Sequence, residues 1–298
     1  MRIEPRSGCL SNRDNSLSSI YFADLHSHTT ASDGLDEPAA LLQRAQAAGL
    51  RALAICDHDS IAGYLEAERD QSASIGLIPG IELSANIGED EVHVLGYYIN
   101  PDSRQLISAL AELQHRRIAR MERFAAKLTD LGLPLTFEEV AAQASGESIG
   151  RPHVARAMIA RGYVTSVDEA FDKFLAAGRP AFVLRTDTTP EWCIDLIHRA
   201  GGVACLAHPF TIAEPFAMIE RLIAAGLDGI EVEYGAYDRQ QRLWLRQVAD
   251  EFGLLRSGGS DFHGESHREN APLGSGGVSL AELEELKIAS TAYSGKRL

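Results

Sequence analysis

Short apolar runs recur along the chain at 21–25, 52–56, 77–83, 92–99, 203–207, 229–232 and 254–258. Each is rich in aliphatic or aromatic side chains and bounded by polar or turn-forming residues, the pattern of strands covered on both faces. Between many of them the apolar positions repeat with a helical period. In 38–48, Asp36 offers an N-cap, Pro38 suits the first turn and Gly49 suits the end. Strands and helices in alternation predict an α/β fold with a mainly parallel sheet, and seven strands fit a barrel more readily than an open sheet. In such a barrel the chemistry gathers at the C-terminal ends of the strands.

The alternation breaks between Pro101 and Pro190, where the pattern is nearly all helical. Leu106, Leu110, Leu113, Met121, Phe124 and Leu128 mark one apolar stripe, and further helices are expected over 137–144, 152–161 and 167–176. The expected organisation is therefore a flexible leader at 1–19, a barrel formed by 20–100 and 190–298, and a helical insertion or lid at 101–189. The first insertion helix carries His115, Arg116, Arg117, Arg120 and Arg123. Such a cluster reads first as a solvated face, with a lid that steers anionic substrate as the alternative.

Six stretches bear metal-ligating side chains and fall near expected strand ends: Asp24-Leu25-His26-Ser27-His28, Asp57-His58-Asp59, Glu82, His93, His208 and Asp261-Phe262-His263. Imidazoles and carboxylates with almost no nearby thiol describe a multinuclear hydrolytic metal site better than a structural zinc knot. The His26/His28 pair is the sharpest piece, since residues i and i+2 of a strand project from one face, roughly 6 to 7 Å apart. Gly150-Arg151-Pro152-His153 opens a helix and sets a guanidinium and an imidazole beside backbone N–H groups, an arrangement suited to phosphate.

Composition narrows the field. A net charge of -14 argues against a broad duplex-binding face. Bound divalent cations would keep the site itself positive, and with a Debye length of about 8 Å that local charge governs what docks. No apolar run is long enough to span a bilayer and the start lacks a secretory apolar segment, so the expected location is cytoplasmic. Cys9, Cys56, Cys193 and Cys205 show no CxxC spacing and read as reduced thiols. His115, His198 and His267 lie outside any motif and are not assigned to the site. Glu231 reads as an inward structural carboxylate, while Asp24 and Asp57 could either orient neighbouring histidines or serve structure alone.

The ordered set of motifs resembles the polymerase-and-histidinol-phosphatase (PHP) domain family, over about Tyr21 to Leu273. The pieces that carry the resemblance are Asp24-Leu25-His26-Ser27-His28-Thr29, Thr30-Ala31-Ser32-Asp33-Gly34, Cys56-Asp57-His58-Asp59, Pro79-Gly80-Ile81-Glu82-Leu83-Ser84, Val92-His93-Val94-Leu95-Gly96, Ala207-His208-Pro209 and Gly259-Ser260-Asp261-Phe262-His263. The resemblance implies a distorted seven-stranded (β/α) barrel with a helical insertion, and three divalent metal ions, Mn²⁺ favoured with Fe²⁺ or Zn²⁺ as alternatives. It assigns Asp33, His58 and His263 to one ion. His26, His28 and Asp261 hold a second that Glu82 bridges, and His93 and His208 complete a third that shares Glu82.

Within that family the chain looks most like bacterial 3',5'-nucleoside bisphosphate phosphatases, some relatives of which are 5'-3' exoribonucleases on short RNA. That branch implies phosphate-binding roles for Arg151 and for Arg179 in Ala177-Gly178-Arg179-Pro180, where a lysine is usual. His153 is a candidate proton donor to the departing ribose oxygen. The expected partners are a small nucleotide or a short oligoribonucleotide, with no duplex DNA, membrane or required protein partner. A non-catalytic metal-binding module is the alternative from another class, and the complete ligand set argues against it.

Overall fold

A computed structural model describes residues 21–70, 74–185, 188–264 and 271–294. The expected leader, Cys9 and His267 lie outside the described residues. Strands β1 (Ala23–Asp24), β2 (Ala52–Ile55), β3 (Gly76–Ile87), β4 (Asp90–Tyr97), β5 (Val203–Leu206), β6 (Gly229–Tyr234) and β7 (Leu255–Gly259) form one seven-stranded sheet in sequence order. The ends of the sheet meet: Leu25 N–H donates to Gly258 O at 3.0 Å, and Ser27 pairs with Phe262. The result is a nearly closed barrel in which all seven expected strands are present.

The pairing is parallel for β1–β2, β2–β3, β5–β6 and β6–β7, and antiparallel for β3–β4 and β4–β5. The reversal comes from a direct β3–β4 hairpin in a sheet expected to be mainly parallel. It also bears on the expectation that the ligands fall at or just after strand ends. Glu82 lies inside β3 because that strand runs on past the rim as one arm of the hairpin. His93 lies near the start of β4, and since β4 runs the other way its start lies at the same rim.

Helices α1 (Pro38–Ala47) and α2 (Ala62–Arg69) flank the first strands, and α7 (Pro190–Arg199), α8 (Pro215–Ala224), α9 (Arg239–Phe252) and α10 (Leu280–Ser294) the later ones. Gly49 does close α1, with φ 84°. Asp36 does not cap it, because its carboxylate instead accepts from Arg44 Nε at 2.7 Å and Glu37 occupies the cap position. No helix among the described residues is long and apolar enough to cross a membrane.

Between β4 and β5 run α3 (Arg104–Asp130), α4 (Phe137–Ala141), α5 (Arg151–Ala160), α6 (Val167–Ala170) and a π-helical turn at Phe171–Leu175. The six apolar stripe residues of α3 are all buried, each contributing roughly 1.5 to 3 kcal/mol of burial free energy. Met121, Phe124 and Leu128 pack with Val154, Met158 and Leu175 in a cluster separate from the barrel core. Leu106, Leu110 and Leu113 join the barrel core with Leu83, Val94 and Ile197. One helix thus ties the inserted elements to the sheet.

Candidate metal centre

Five imidazoles surround the Glu82 carboxylate, which is fully buried. Its Oε1 lies 2.9 Å from His93 Nδ1 and 3.2 Å from His208 Nε2. Its Oε2 lies 3.0 Å from His58 Nδ1, 3.3 Å from His28 Nε2 and 3.4 Å from His26 Nε2. Asp261 Oδ1 approaches His28 Nε2 at 3.2 Å and His26 Nε2 at 3.4 Å, and Asp33 Oδ1 approaches His263 Nε2 at 3.4 Å. All nine side chains expected as ligands therefore converge on one rim.

Most of these atoms face one another without forming hydrogen bonds. Among the described residues, His26 Nε2, both ring nitrogens of His28, His58 Nδ1, His93 Nδ1, Asp33 Oδ1 and Glu82 Oε2 are buried with no hydrogen-bond partner. Buried polar atoms left unpaired cost about 1 to 3 kcal/mol each, so seven together point to an occupant that takes lone pairs. Four overlapping sets have donor atoms within 4.8 Å of one another: His28, Asp33, His58 and His263; His26, His28 and Glu82; His26, His208 and Asp261; and His58, Glu82 and His93. The implied third set brings His93 and His208 to the same Glu82 Oε1, with their rings 5.1 Å apart. His93 also lies beside His58, and His208 beside His26. Imidazole and carboxylate together suit first-row divalent cations.

The electrostatics point the same way. Burial alone would depress the His28 imidazole, but contact with Asp261 and Glu82 raises it to about 10. Burial likewise opposes charge on His26, which Glu231, Asp261 and Glu82 hold well above its ordinary value. Burial opposes ionisation of Glu82 too, yet His58, His93 and His26 keep its carboxyl well below the usual range. The pocket favours carboxylates in the charged form and draws positive charge to their centre.

Local backbone strain delivers several of these groups. His208 has φ 28°, Asp261 φ 54° and Asp59 φ 50°, a region that costs a non-glycine residue of order 1 to 3 kcal/mol and persists where the surroundings over-determine it. Asp24 accepts from the backbone N–H groups of His26, Ser260 and Gly274, which joins the first ligand loop to the last. Burial pushes its carboxyl up to about 6 against those hydrogen bonds. Asp57 accepts from Thr29 N, Thr29 Oγ1 and Ser32 Oγ, shaping the loop that carries Asp33. Neither aspartate binds an imidazole, so both organise backbone. Gly63 is required beside this network, because a Cβ there would stand 2.1 Å from Asp57 Oδ2.

A cleft of about 560 Å³ opens over the ligands and is lined on its far side by Arg117, Arg120, Arg151 and Arg185. The solvated-face reading of the α3 cluster fails for two of its residues. Arg117 and Arg120 are only 5% and 4% exposed, because α3 turns that face onto the barrel rim. Arg117 donates to Asp59 Oδ2 and Ser84 Oγ. Arg120 Nε donates to Val183 O, while its Nη2 forms no hydrogen bond among the described residues and stands 3.7 Å from Glu91 Oε1. Burial and the neighbouring Arg185 bring Arg120 down to about 9. Arg116 and Arg123 do remain exposed.

Arg151 lines the cleft as expected, paired with Glu91 and lying over the Phe171 ring at 5.2 Å. Arg179 is exposed and is not among the lining residues, whereas Ala177 and Phe182 on either side of it are. His153 is buried and does not line the cleft. Its Nδ1 accepts from Gly150 N–H at 3.0 Å, and burial lowers it to about 4, so the ring is neutral.

Residues 24–179 match the PHP domain model. The chain belongs to the PHP domain family. It is 37% identical over 245 residues to a 5'-3' exoribonuclease of Haemophilus influenzae, covering 80% of this chain and 89% of that protein. It is 34% identical over 269 residues to a 3',5'-nucleoside bisphosphate phosphatase of Chromobacterium violaceum, covering 88% and 92%. A solved structure from Bifidobacterium adolescentis, assigned as a metal-dependent phosphoesterase, superposes with a TM-score of 0.80 at 30% identity, covering 89% of this chain and 95% of that one. The chain is a metal-dependent phosphoesterase of the PHP family.

Two residues of this PHP site were not legible as functional in the sequence. Glu231 Oε1 lies 2.9 Å from His26 Nδ1 and its Oε2 accepts from His208 N–H at 2.7 Å, so this carboxylate orients one ligand ring and anchors the backbone of another. Arg185 reaches Asp59 Oδ2 at 3.1 Å from the segment after the π-helical turn. It carries no motif; its signal is a lone cation after an apolar run.

Proposed function

We propose that this chain hydrolyses the 3'-phosphate of nucleoside 3',5'-bisphosphates, with cations held by His26, His28, Asp33, His58, Glu82, His93, His208, Asp261 and His263. One observation carries the reading: a single cleft of about 560 Å³ joins the ligand cluster to a group of arginines, two of them buried. That volume suits a ligand of nucleotide size. The mixed imidazole and carboxylate donors admit Mn²⁺, Fe²⁺ or Zn²⁺, and the family resemblance favours three ions with Mn²⁺ first. Bound there, such ions acidify water and offset the charge of phosphate oxygens.

The chain's own residues position the substrate. Arg151 and Arg120 grip the phosphate that is not cleaved, with planar donors matched to its oxygens. Arg179, exposed beside the cleft, adds positive charge at the mouth. The reaction breaks the P–O3' bond: a water oxygen joins phosphorus, and the 3'-oxygen departs and takes up a proton. We assign neutral His153 to the start of α5, where it closes the turn with Gly150, and not to proton donation.

A second reading is supported by the name of the Haemophilus influenzae relative. A 5'-3' exoribonuclease acting on short 5'-phosphorylated RNA would break the same P–O3' bond and use the same arginines for the 5'-phosphate. Neither reading requires duplex DNA, a membrane or a protein partner, and the buried thiols Cys56, Cys193 and Cys205 suit the cytoplasm. Incubation of Mn²⁺-loaded protein with adenosine 3',5'-bisphosphate, histidinol phosphate and a short 5'-phosphorylated RNA separates the readings. Inorganic phosphate from the bisphosphate supports the first. Mononucleotides from RNA without phosphate release replace it with the second, and no product from any substrate favours a non-catalytic module.

A further inference from the structure

The cleft has an apolar wall as well as its charges, formed by Pro152, Val167, Phe171, Ala176, Ala177 and Phe182 of the inserted elements. Phe182 is half-buried and belongs to none of the four hydrophobic clusters formed by the described residues. Its neighbours Ala181 and Val183 are core residues of the insertion, at 0% and 6% exposure. Burial alternates along this segment, which turns the ring out of that core and onto the cleft.

The backbone that carries the ring is held in place. Lys127 Nζ donates to Phe182 O at 2.5 Å, Arg120 Nε to Val183 O at 2.9 Å, and Ala181 N–H to Phe174 O at 3.0 Å. A fixed aromatic face kept out of any core and directed into a charged cleft is suited to receive a planar partner. The π-helical turn at Phe171–Leu175 borders the same wall, and such turns frequently occur at functional positions.

The order of groups along the cleft gives the partner's orientation. His93 faces Glu82, Glu91 precedes His93 by two residues on β4, Arg151 pairs with Glu91, and Phe171 lies under Arg151. The Arg151–Glu91 pair thus stands between the ligand cluster and Phe171 of the aromatic wall. A phosphorylated ligand held at the first two groups would lay its planar part against the third. Glu89, Asp90 and Asp168 line the same cleft. Carboxylates there repel phosphate but accept hydrogen bonds from the amino group of a base.

We propose that this wall is a nucleobase seat, with Phe182 as its stacking platform. The proposal deepens the bisphosphate reading and rests on its nucleotide substrate. The test is calorimetric binding of adenosine 5'-monophosphate and ribose 5-phosphate to the wild-type protein, Phe182→Ala and Phe182→Tyr, alongside phosphate release from adenosine 3',5'-bisphosphate. The wild type should bind the nucleotide about 10-fold or more tighter than the sugar phosphate, since stacking on an aromatic side chain is worth that much. Phe182→Ala should lose most of this preference while its affinity for ribose 5-phosphate changes by under about 2-fold, and Phe182→Tyr should restore it, because a phenol presents the same face. A wild type without preference for the nucleotide overturns the seat, as does an alanine variant that keeps the preference or loses both ligands alike. Base preference without phosphate release supports the seat and removes the bisphosphate reading, whereas release without base preference does the reverse.

Discussion

Glu231 Oε1 lies 2.9 Å from His26 Nδ1, joining residues 205 positions apart in a fully buried pair. The contact leaves Nε2 as the ring nitrogen that faces Glu82 and Asp261. Carboxylates in this position hold ring orientation and raise ligand basicity, and their loss typically lowers metal affinity about 10- to 100-fold. Glu231→Gln keeps the side-chain volume and should show such a loss by metal titration, with an unchanged circular dichroism spectrum. Unchanged affinity would remove Glu231 from the ligand assembly.

A second buried contact, of Asp59 with two arginines, ties the inserted helices to the ligand loops. Asp59, directly after His58, accepts from Arg117 and from Arg185. Burial opposes its charge, yet the two guanidiniums bring its carboxyl from 3.8 to about 2. The folded value lies below the unfolded one, so the stabilisation is complete above about pH 4 and is lost as pH falls through about 2. Arg117→Met leaves part of a buried charge uncompensated and should cost about 3 kcal/mol near neutral pH by urea unfolding. The difference between wild type and Asp59→Asn should shrink between pH 5 and pH 2.5. A constant difference across that range would contradict the role given to Asp59.

The strand pattern and the HxH, DHD and DFH motifs were legible because ligand type and spacing are local properties. The hairpin that places Glu82 and His93 inside strands was less so, since apolar runs do not state their direction. Glu231 and Arg185 were hidden for a related reason: Glu231 alternates with apolar residues and Glu233 along β6, Arg185 follows an apolar run, and only the closed barrel shows what each faces. Arg117 and Arg120 look like a solvated stripe until the rotation of α3 about its axis is known. Arg179 illustrates the opposite case, with a recognisable motif in a segment that lines the cleft through Ala177 and Phe182 instead.

Arg120 is buried, with a guanidinium nitrogen that has no hydrogen bond among the described residues and faces the cleft. Charged hydrogen bonds to phosphate are worth about 1.5 to 3 kcal/mol. Arg120→Met should therefore raise KM for a nucleoside bisphosphate roughly 10- to 100-fold, with a smaller change in kcat. Steady-state kinetics that show a fall in kcat alone would place the residue elsewhere in the mechanism.

Removal of divalent cations should destabilise the chain, because seven buried donor atoms of the ligand set then face one another unpaired. Binding at about 100 times Kd contributes about 2.7 kcal/mol, which corresponds to roughly 4 °C for a chain of 298 residues. Thermal melts before and after chelation, and again after adding Mn²⁺, should show that loss and its recovery. Identical melts would mean that the cluster holds no cation.

The most direct test pairs wild type with Asp261→Asn, each loaded with Mn²⁺, in a phosphate-release assay on adenosine 3',5'-bisphosphate. Asp261 Oδ1 faces His26 and His28 while its Oδ2 accepts from Tyr234 Oη at 2.8 Å, so the amide removes a ligand charge with little change of shape. The expected result is one phosphate per nucleotide from the wild type and none from the variant, with matching circular dichroism spectra. Full turnover by Asp261→Asn would contradict the account, as would a metal-loaded wild type that releases neither phosphate from the bisphosphate nor mononucleotides from short RNA.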